Sequence, residues 1–400
     1  MRYRLIVIIG LIGLLTGIIG CSDDGDDESR RELVSVSLSA YTTPFTDVES
    51  SSSRTTRAWG NWPPSGYLPY HTYVDPVDLQ KSNDGAAIGA YFTQSPDVAY
   101  ARKFRPSVNG RWLINDSVDV GDYYLYGFVP YGAVDDNATT IAPYNGSYKN
   151  GAVLELRGIN SVLSQDLCVV VAAKHGSKVG NDTLPIKTPK PGDFSCTFKK
   201  ENFIFLLFDH LYAALRFRFQ VGEKYASLRT IKLRRLELSA YQDEACTVPM
   251  TKVRTTITLR ANNTGASPIV GDVTFSADGT GSAEAAIICD RESNPVTLPT
   301  GDAWTEYLGF GPKTSKYYLL RTTYDVYDNN PSEGHLEGNL IRQKCVAENK
   351  IIPQQLFTNV SSLARGYMYT INLTIEPTYL YMLSEPDLDN PAVVISNTKN

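Results

Sequence analysis

The chain has 400 residues, of which 42% are hydrophobic and 20% are charged, and its formal net charge is −5. This composition excludes a wholly disordered chain, and the acidic balance disfavours nucleic acid as a partner. Only four His and six Cys are present as soft metal ligands, whereas 25 Tyr, 14 Phe, 30 Gly and 22 Pro are typical of short strands joined by turns. We therefore expect an all-β protein of two or three domains.

The first residues, 1–20, are interpreted as a signal peptide for export. Arg2 and Arg4 precede an apolar run that is shorter than the roughly 20 residues a membrane-spanning helix needs. The four residues Ile18-Ile19-Gly20-Cys21 resemble a bacterial lipobox, in which the Cys is acylated. The alternative is an ordinary signal peptide in which Cys21 has no such role.

An acidic tether, 21–32, follows the lipobox. Its sequence after Cys21 is Ser-Asp-Asp-Gly-Asp-Asp-Glu, which is too polar to form a core or to enter a bilayer. A Ser-Asp-Asp directly after the Cys also resembles the signal that sends lipoproteins of Bacteroidetes to the outer face of the cell. The leader therefore predicts a lipid-anchored protein, exposed on the cell outer membrane.

The tether leads into a predicted half-buried strand over 33–40. Val34, Val36 and Leu38 share one face of it, and serines occupy the other face. A stretch rich in Ser, Thr and Arg follows at 49–57, with the composition of an exposed linker.

Alternation of apolar and polar residues predicts further strands along the chain. These are Tyr123 to Val129, Val153 to Leu156, Leu167 to Ala173, Phe203 to Phe208, Leu215 to Val221, Thr230 to Leu238, Arg254 to Leu259, Ala283 to Ile288, Lys316 to Asp325, and Tyr367 to Ile375. Two short helix candidates are Asp97 to Phe104 and Gln354 to Leu363. Regularly spaced strands with little helix favour β-sandwiches.

The sequence contains no motif that predicts catalysis, a cofactor or a metal site. None of the four His lies at a paired metal-ligand spacing, and neither a nucleophile elbow nor a phosphate-binding loop is present. Asp278-Gly279-Thr280 has the residues of an aspartic protease motif in the wrong order, and we expect a hairpin turn there. The basic residues Lys232, Arg234 and Arg235 lie within a predicted strand, and we expect them to face solvent. These features predict a protein that is not an enzyme.

Aromatic residues cluster in a segment rich in Pro and Gly, and include Trp59, Trp62, Tyr67, Tyr70 and Tyr73. Such a cluster can stack on sugars, which gives a glycan-binding hypothesis for Trp59, Trp62 and Tyr67. The favoured interpretation is that the cluster covers the open side of a β-sandwich.

Three stretches, taken in order, resemble the fimbrillin family, the pilus subunits and related surface lipoproteins of Bacteroidetes. The first is Asp122-Tyr-Tyr-Leu-Tyr-Gly-Phe-Val-Pro-Tyr131, an aromatic strand that ends in a turn. The second, Phe205-Leu-Leu-Phe-Asp-His-Leu-Tyr-Ala-Ala-Leu-Arg-Phe217, is similar to the stretch that opens the family's second domain, so that His210 begins a strand there. The third is Arg365-Gly-Tyr-Met-Tyr-Thr-Ile-Asn-Leu-Thr-Ile375, similar to a late strand of the family.

The resemblance implies two transthyretin-like β-sandwich domains in tandem, over 33–200 and 201–400. It also implies proteolytic trimming after an Arg and assembly by strand exchange with other fimbrial subunits, in a homopolymer or a heteropolymer. In this chain Arg57-Ala58 is the predicted cleavage site, and Arg54 is its nearest competitor. The removable strand is then the one that carries Val34, Val36 and Leu38. The candidate donor strand carries Val393, Val394 and Ile395.

The resemblance does not distinguish a shaft subunit from a tip or accessory subunit. A host or glycan ligand is a further candidate partner. The alternative function from another class is a glycan-binding surface lipoprotein, which shares the export signal and the sandwiches. A surface hydrolase is the third hypothesis, but it lacks a recognisable site.

Overall fold

The computed structural model describes residues 33–34, 36–48, 68–69, 87–106, 112–113, 117–135, 137–179, 182–185, 190–199, 203–265, 270–329, 339–379 and 386–396. All of these residues belong to one unit, Leu33–Asn400. Strands dominate, so the predicted all-β class is confirmed. Among the described residues, no helix has the length and apolar character needed to cross a membrane.

The strands of the first part of the chain include several that have no clear sequence signal. They are β1 (Leu33–Val34), β2 (Ser37–Thr42), β3 (Thr46–Val48), β4 (Leu68–Pro69), β5 (Ile88–Thr93), β6 (Tyr100–Pro106), β7 (Trp112–Leu113), β8 (Val118–Asp119), β9 (Gly121–Val129), β10 (Thr140–Pro143), β11 (Gly151–Ile159), β12 (Cys168–Val179), β13 (Asp182–Pro185), β14 (Ser195–Phe198) and β15 (Phe203–His210).

The remaining strands are on average longer. They are β16 (Ala213–Val221), β17 (Arg229–Tyr241), β18 (Thr251–Arg260), β19 (Val270–Ser282), β20 (Ala286–Asp290), β21 (Val296–Thr297), β22 (Thr305–Gly311), β23 (Tyr317–Asp328), β24 (Leu340–Ile351), β25 (Tyr367–Tyr379) and β26 (Pro386–Ile395). The described helices are one-turn α-helices, Glu223–Ala226 and Pro353–Leu356, and 3-10 turns at Tyr131–Ala133, Tyr144–Gly146 and Asn262–Thr264.

The first hydrophobic core is formed by two sheets. One has the order β10-β11-β18-β19, and the other has the order β13-β12-β15-β2-β7-β6-β5-β9-β14, with β4 added on β2 and a further pairing between β9 and β12. Buried side chains of both sheets form one cluster, because alternate residues of each strand point to the same face. β18 and β19 reach this core although they come late in the chain.

The second core lies between two five-stranded sheets. Their orders are β22-β16-β25-β26, with β3 added on β25, and β20-β17-β23-β24, with β21 added on β17. Phe217, Leu236, Tyr324 and Ile371 are among its fully or almost fully buried side chains. The proposed division at 200/201 stays a prediction, and the chain passes from β15 of the first core to β16 of the second through Leu211 and Tyr212 alone.

Some sequence predictions are wrong in this structure, among them two helix candidates and one turn. The helix candidate Asp97 to Phe104 overlaps β6, and Phe104 is fully buried, because pairing with β5 in a hairpin overrides the local preference for helix. The second candidate, Gln354 to Leu363, is helical only over Pro353–Leu356. Asp278 lies inside β19, beside a register shift, and not in a hairpin turn.

Asp278 instead joins β19 to β11 through a carboxylate that is 1% exposed. Arg157 donates to it from Nε and Nη2 at 2.9 and 2.8 Å, and the backbone N–H of Gly158 donates at 2.6 Å. Gly158 has φ +67°, a conformation that glycine adopts at little cost. Burial alone raises the pKa of Asp278, but these hydrogen bonds outweigh it and hold the pKa below its ordinary value of 3.8.

We expect Asp278→Asn to lower the free energy of unfolding by about 2 kcal/mol at pH 7, because a charged acceptor of three hydrogen bonds is lost. Since the folded pKa is lowered, this contribution is complete above the ordinary Asp pKa and disappears as the pH falls through the folded value. Urea unfolding of both proteins at pH 7 and pH 3 measures the difference, and exposed Asp302→Asn is the control. A difference that stays constant between the two pH values contradicts the assignment.

Candidate functional site

The N-terminal segment, defined as residues 36–48, is the candidate site because it contributes a strand to each core. Its first part, β2, runs parallel to β15 with Ser37 beside Phe203 and Thr42 beside Phe208. On its other side β2 pairs with β7 and β4. Val36, Leu38, Ala40 and Thr42 are at most 3% exposed, as the period of two predicts for the inward face.

The last part of the N-terminal segment, β3, belongs to the second core. It runs parallel to the start of β25, and the backbone N–H of Thr46 donates to the carbonyl oxygen of Gly366 at 3.0 Å. Arg216 donates from Nη2 to Asp47 at 3.1 Å, and Val48 packs on the second core. One short segment therefore completes two sheets.

Between β2 and β3 the chain crosses the last residue of β15, His210. The ring of Phe45 stacks on this imidazole with 3.8 Å between centroids and 24° between planes. On the other side of the crossing, the ring of Phe310 lies 5.9 Å from that of Phe45. Phe45 is 6% exposed, so it fills a pocket between His210 of β15 and Phe310 of β22.

Hydrogen bonds fix the orientation of His210. Its Nε2 lies 2.7 Å from the carbonyl oxygen of Thr43. A carbonyl only accepts hydrogen bonds, so Nε2 carries a proton and donates. Its Nδ1 lies 2.7 Å from Oδ2 of Asp166, and both side chains are fully buried. One of these two atoms therefore donates the hydrogen bond to the other.

Asp166, Cys168 and His210 together resemble a metal-ligand set, since their donor atoms lie within 4.8 Å of one another. The Nδ1 to Oδ2 separation is, however, a hydrogen-bond distance. Burial, and then the charge of Asp166, raises the pKa of the Cys168 thiol well above its ordinary value. In this arrangement the cluster is a hydrogen-bonded support for His210.

An ion pair clamps the end of β15 from the second core. Arg365, just before β25, donates from Nη1 to Oδ2 of Asp209 at 2.9 Å and to the carbonyl oxygen of His210 at 3.3 Å. Oδ1 of Asp209 accepts from the backbone N–H of His210 at 3.0 Å. Beside this clamp lies a cavity of about 470 Å³, lined by Leu211, Gly271, Val273, Phe275, Lys313, Ser361, Ser362, Leu363, Ala364 and Arg365.

The structure places some of the sequence-predicted site residues and not others. Val36 and Leu38 lie in the first core, and His210 ends β15 instead of beginning a strand of the second domain. Val393 is 6% exposed and Val394 is 45% exposed in β26, which pairs with β25 of the same chain. Cys21, Arg54, Arg57, Ala58, Trp59, Trp62 and Tyr67 lie outside the described residues.

Sequence reasoning missed Phe45 and Asp166, which complete the site. The Thr43-Pro44-Phe45 stretch follows the alternating strand, and its proline, which cannot donate to a ladder, is the signal that β2 stops there. Asp166 has no such signal, because its link to His210 depends on the fold.

The five described cysteines are free thiols, and four of them are buried. Burial raises the pKa of Cys168, Cys196 and Cys246, but of these three only Cys246 is partly exposed to solvent. We expect iodoacetamide at pH 8 to modify Cys246 at least about tenfold faster than Cys168 or Cys196 in the folded protein, because the thiolate is the nucleophile. Peptide mass spectrometry measures this, with urea-unfolded protein as the control, and equal folded-state rates contradict the burial.

The class defined by this architecture is an all-β protein with two sandwich-like cores joined by one N-terminal segment. No protein-family model and no curated protein matches the chain. It is similar to a solved structure from Bacteroides fragilis, provisionally assigned to cell adhesion, with 11% identity, a TM-score of 0.36, and coverage of 91% of this chain and 97% of that one.

Two fimbrial structures are also similar to the chain. One is a fimbrial protein from Bacteroides vulgatus, with 11% identity, a TM-score of 0.27, and coverage of 91% of this chain and 99% of that one. The other is the fimbrial anchor protein Mfa2 from Porphyromonas gingivalis, with 11% identity, a TM-score of 0.24, and coverage of 90% and 98%. Each of these TM-scores is below 0.5.

Proposed function

We propose that the chain is a structural, non-catalytic subunit of a cell-surface fimbria. It is exported as a lipoprotein, trimmed after Arg57, and assembled by accepting a strand from another subunit. The observation that carries this proposal is the position of the N-terminal segment. It lies before Arg57 in the chain, yet it supplies the strand β2, with a buried face, to the first core and the partly exposed strand β3 to the second.

Removal of the N-terminal segment has a large energetic consequence. Val36, Leu38 and Phe45 are almost fully buried, and at about 1.5 to 3 kcal/mol each their loss amounts to roughly 5 to 9 kcal/mol. That is comparable with the whole stability of a domain. The edges of β15 and β25 are left with unpaired backbone groups, which are a template for a strand from another chain.

The arrangement favours the role of strand acceptor. The candidate donor residues Val393 and Ile395 already pair with Ile375 and Leu373 of β25. Their strand therefore has to leave its own sheet before it can serve a neighbour. The groove opened by trimming needs no such rearrangement.

The proposal is tested by treating the mature chain with an Arg-specific protease at low dose. N-terminal sequencing identifies the new terminus, which we expect at Ala58. The trimmed product should lose thermal stability and form oligomers in size-exclusion chromatography when a donor subunit is added. Arg57→Ala is the resistant control, and Arg54→Ala distinguishes the neighbouring site. Cleavage that leaves a monomer of unchanged stability rules the proposal out.

Lipid attachment at Cys21 has a separate test. We expect Cys21→Ala to move the protein from the membrane fraction to the soluble fraction, because the acceptor of the acyl chains is lost. Metabolic labelling with a fatty acid, followed by detergent partitioning, measures both effects. Unchanged fractionation together with an unlabelled wild-type chain contradicts the anchor.

A further inference from the structure

We infer that the pocket of His210, Phe310 and Asp166 selects the strand that fills the groove, by requiring an aromatic side chain at the place of Phe45. The inference deepens the proposed function and rests on it. It also commits to an occupant, which is a segment of a different subunit that carries this aromatic residue, and not β26 of a second copy.

The pocket is built by side chains that do not belong to the N-terminal segment. Asp166 and His210 are fully buried and hydrogen-bonded to each other at 2.7 Å. The main chain at His210 is held by Arg365, and Phe310 comes from β22. The contacts of His210 with Asp166 and Arg365 do not involve the N-terminal segment, so they continue to hold His210 when the segment leaves.

The segment meets the pocket at one defined register. The last inward side chain of β2 is Thr42, and the carbonyl oxygen of the next residue, Thr43, accepts from Nε2 of His210 at 2.7 Å. Phe45 then stacks on the imidazole three residues after Thr42. An occupant must therefore combine an extended segment, a free carbonyl and an aromatic ring at that spacing. Offset and stacked aromatic pairs add about 0.5 to 1.5 kcal/mol to simple burial, which favours a ring over an aliphatic side chain.

β26 does not meet this requirement. Its residues, Pro-Asp-Leu-Asp-Asn-Pro-Ala-Val-Val-Ile, include no aromatic side chain. It is also held in its own sheet, where Tyr324 donates from its hydroxyl to the carbonyl oxygen of Pro391 at 2.7 Å and Asn349 donates to that of Val393 at 2.7 Å. The chemistry of the pocket thus points away from a homopolymer built through β26.

A competition experiment with synthetic peptides tests the inference. The full chain is cut with the Arg-specific protease and incubated with a fluorescent peptide of residues 36–48, and unlabelled peptides compete for the site. We expect Phe45→Ala in the competitor to weaken binding about a hundredfold or more, and Phe45→Leu about tenfold.

Phe45→Trp tests whether another ring is accepted, and we expect it to bind more tightly than Phe45→Leu. Pro44→Ala, at an exposed position, is the matched control and should change binding less than about threefold. A peptide of residues 386–396 should be at least a hundredfold weaker.

The outcomes separate the two proposals. If the labelled peptide binds but the Phe45→Ala competitor is as good as wild type, the pocket does not select and the inference is overturned, while strand acceptance stands. If the peptide of residues 386–396 competes as well as wild type, a second copy is an adequate donor and the choice of partner is overturned. If cleavage releases no segment and no labelled peptide binds, strand acceptance itself fails, and the inference fails with it. All variants are in the peptide, so none of them alters the folding of the acceptor.

Discussion

Leu38→Asp is expected to unfold the first core, whereas Ser39→Asp, one residue further along, leaves it folded. Leu38 is fully buried in β2, so the substitution loses its apolar contacts and places an unpaired carboxylate in the core. The expected loss in the free energy of unfolding is more than about 4 kcal/mol. Ser39 lies on the opposite, half-buried face, and its substitution should cost about 1 kcal/mol.

Urea unfolding followed by circular dichroism measures both variants under the same conditions. The two variants test the register directly, because a shift of one residue in β2 would expose Leu38 and bury Ser39. Equal effects of the two substitutions would show that β2 does not pair with β15 in the register Ser37 to Phe203. The variant at Ser39 also controls for the added negative charge.

The second large effect is expected at Arg234, whose loss should destabilise the second core by about 3 to 5 kcal/mol. Its Nε donates to both carboxylate oxygens of Asp325, at 2.7 and 2.8 Å, and its Nη1 donates to the carbonyl oxygen of Glu292 at 2.7 Å. Asp325 is fully buried. Arg234→Ala therefore leaves a buried carboxylate without its main counter-charge.

The neighbouring residue provides the matched control. Arg235 pairs with Glu237 at 3.0 Å, but its side chain is 30% exposed, so Arg235→Ala should cost less than about 1 kcal/mol. The double variant Arg234→Met with Asp325→Leu should recover most of the stability, because it removes both charges together. Thermal unfolding of the three variants decides the matter, and a double variant as unstable as Arg234→Ala contradicts the explanation by an unpaired charge.

The burial of Arg234 also shows where sequence patterns fail. We expected it to face solvent with Lys232, since both lie on the same side of an ideal strand. The pairing of β17 with β23 shifts register between Leu233 and Arg235, so Arg234 is an extra residue and turns inward. Such a bulge changes the phase of the alternation for every later residue, and its sign in the sequence is the step of three from Leu233 to Leu236.

Strands with strong alternation were predictable because burial of one face leaves a direct mark on the sequence. β9, β16 and β17 lie close to their predicted places. β5 and β6 were not predictable, since Ile88 and Phe104 are buried where these two strands pair with each other and with the following strands β9 and β7.

The candidate site was predictable only in part, for the same reason. The apolar face of β2 is visible in the sequence as Val36 and Leu38. The contact of His210 with Thr43 spans a sequence separation of 167 residues and that with Asp166 spans 44, so neither follows from spacing along the chain. The contact with Thr43 depends on the parallel pairing between β2 and β15, and the contact with Asp166 depends on the antiparallel pairing between β12 and β15.

Because of this parallel pairing, the N-terminal segment is held by two overlapping parallel ladders, one in each core. β2 overlaps β15 and β3 overlaps β25, with strands running in the same direction in both ladders. A pull along the segment therefore acts along the strand axes, and the evenly spaced hydrogen bonds of a parallel ladder resist it together instead of opening one after another. Phe45 lies between these two ladders, and its ring must leave its pocket before either strand can slide along its partner. A strand held in this way dissociates slowly under tension. Its residence time therefore depends on the direction of the pulling force as well as on its affinity.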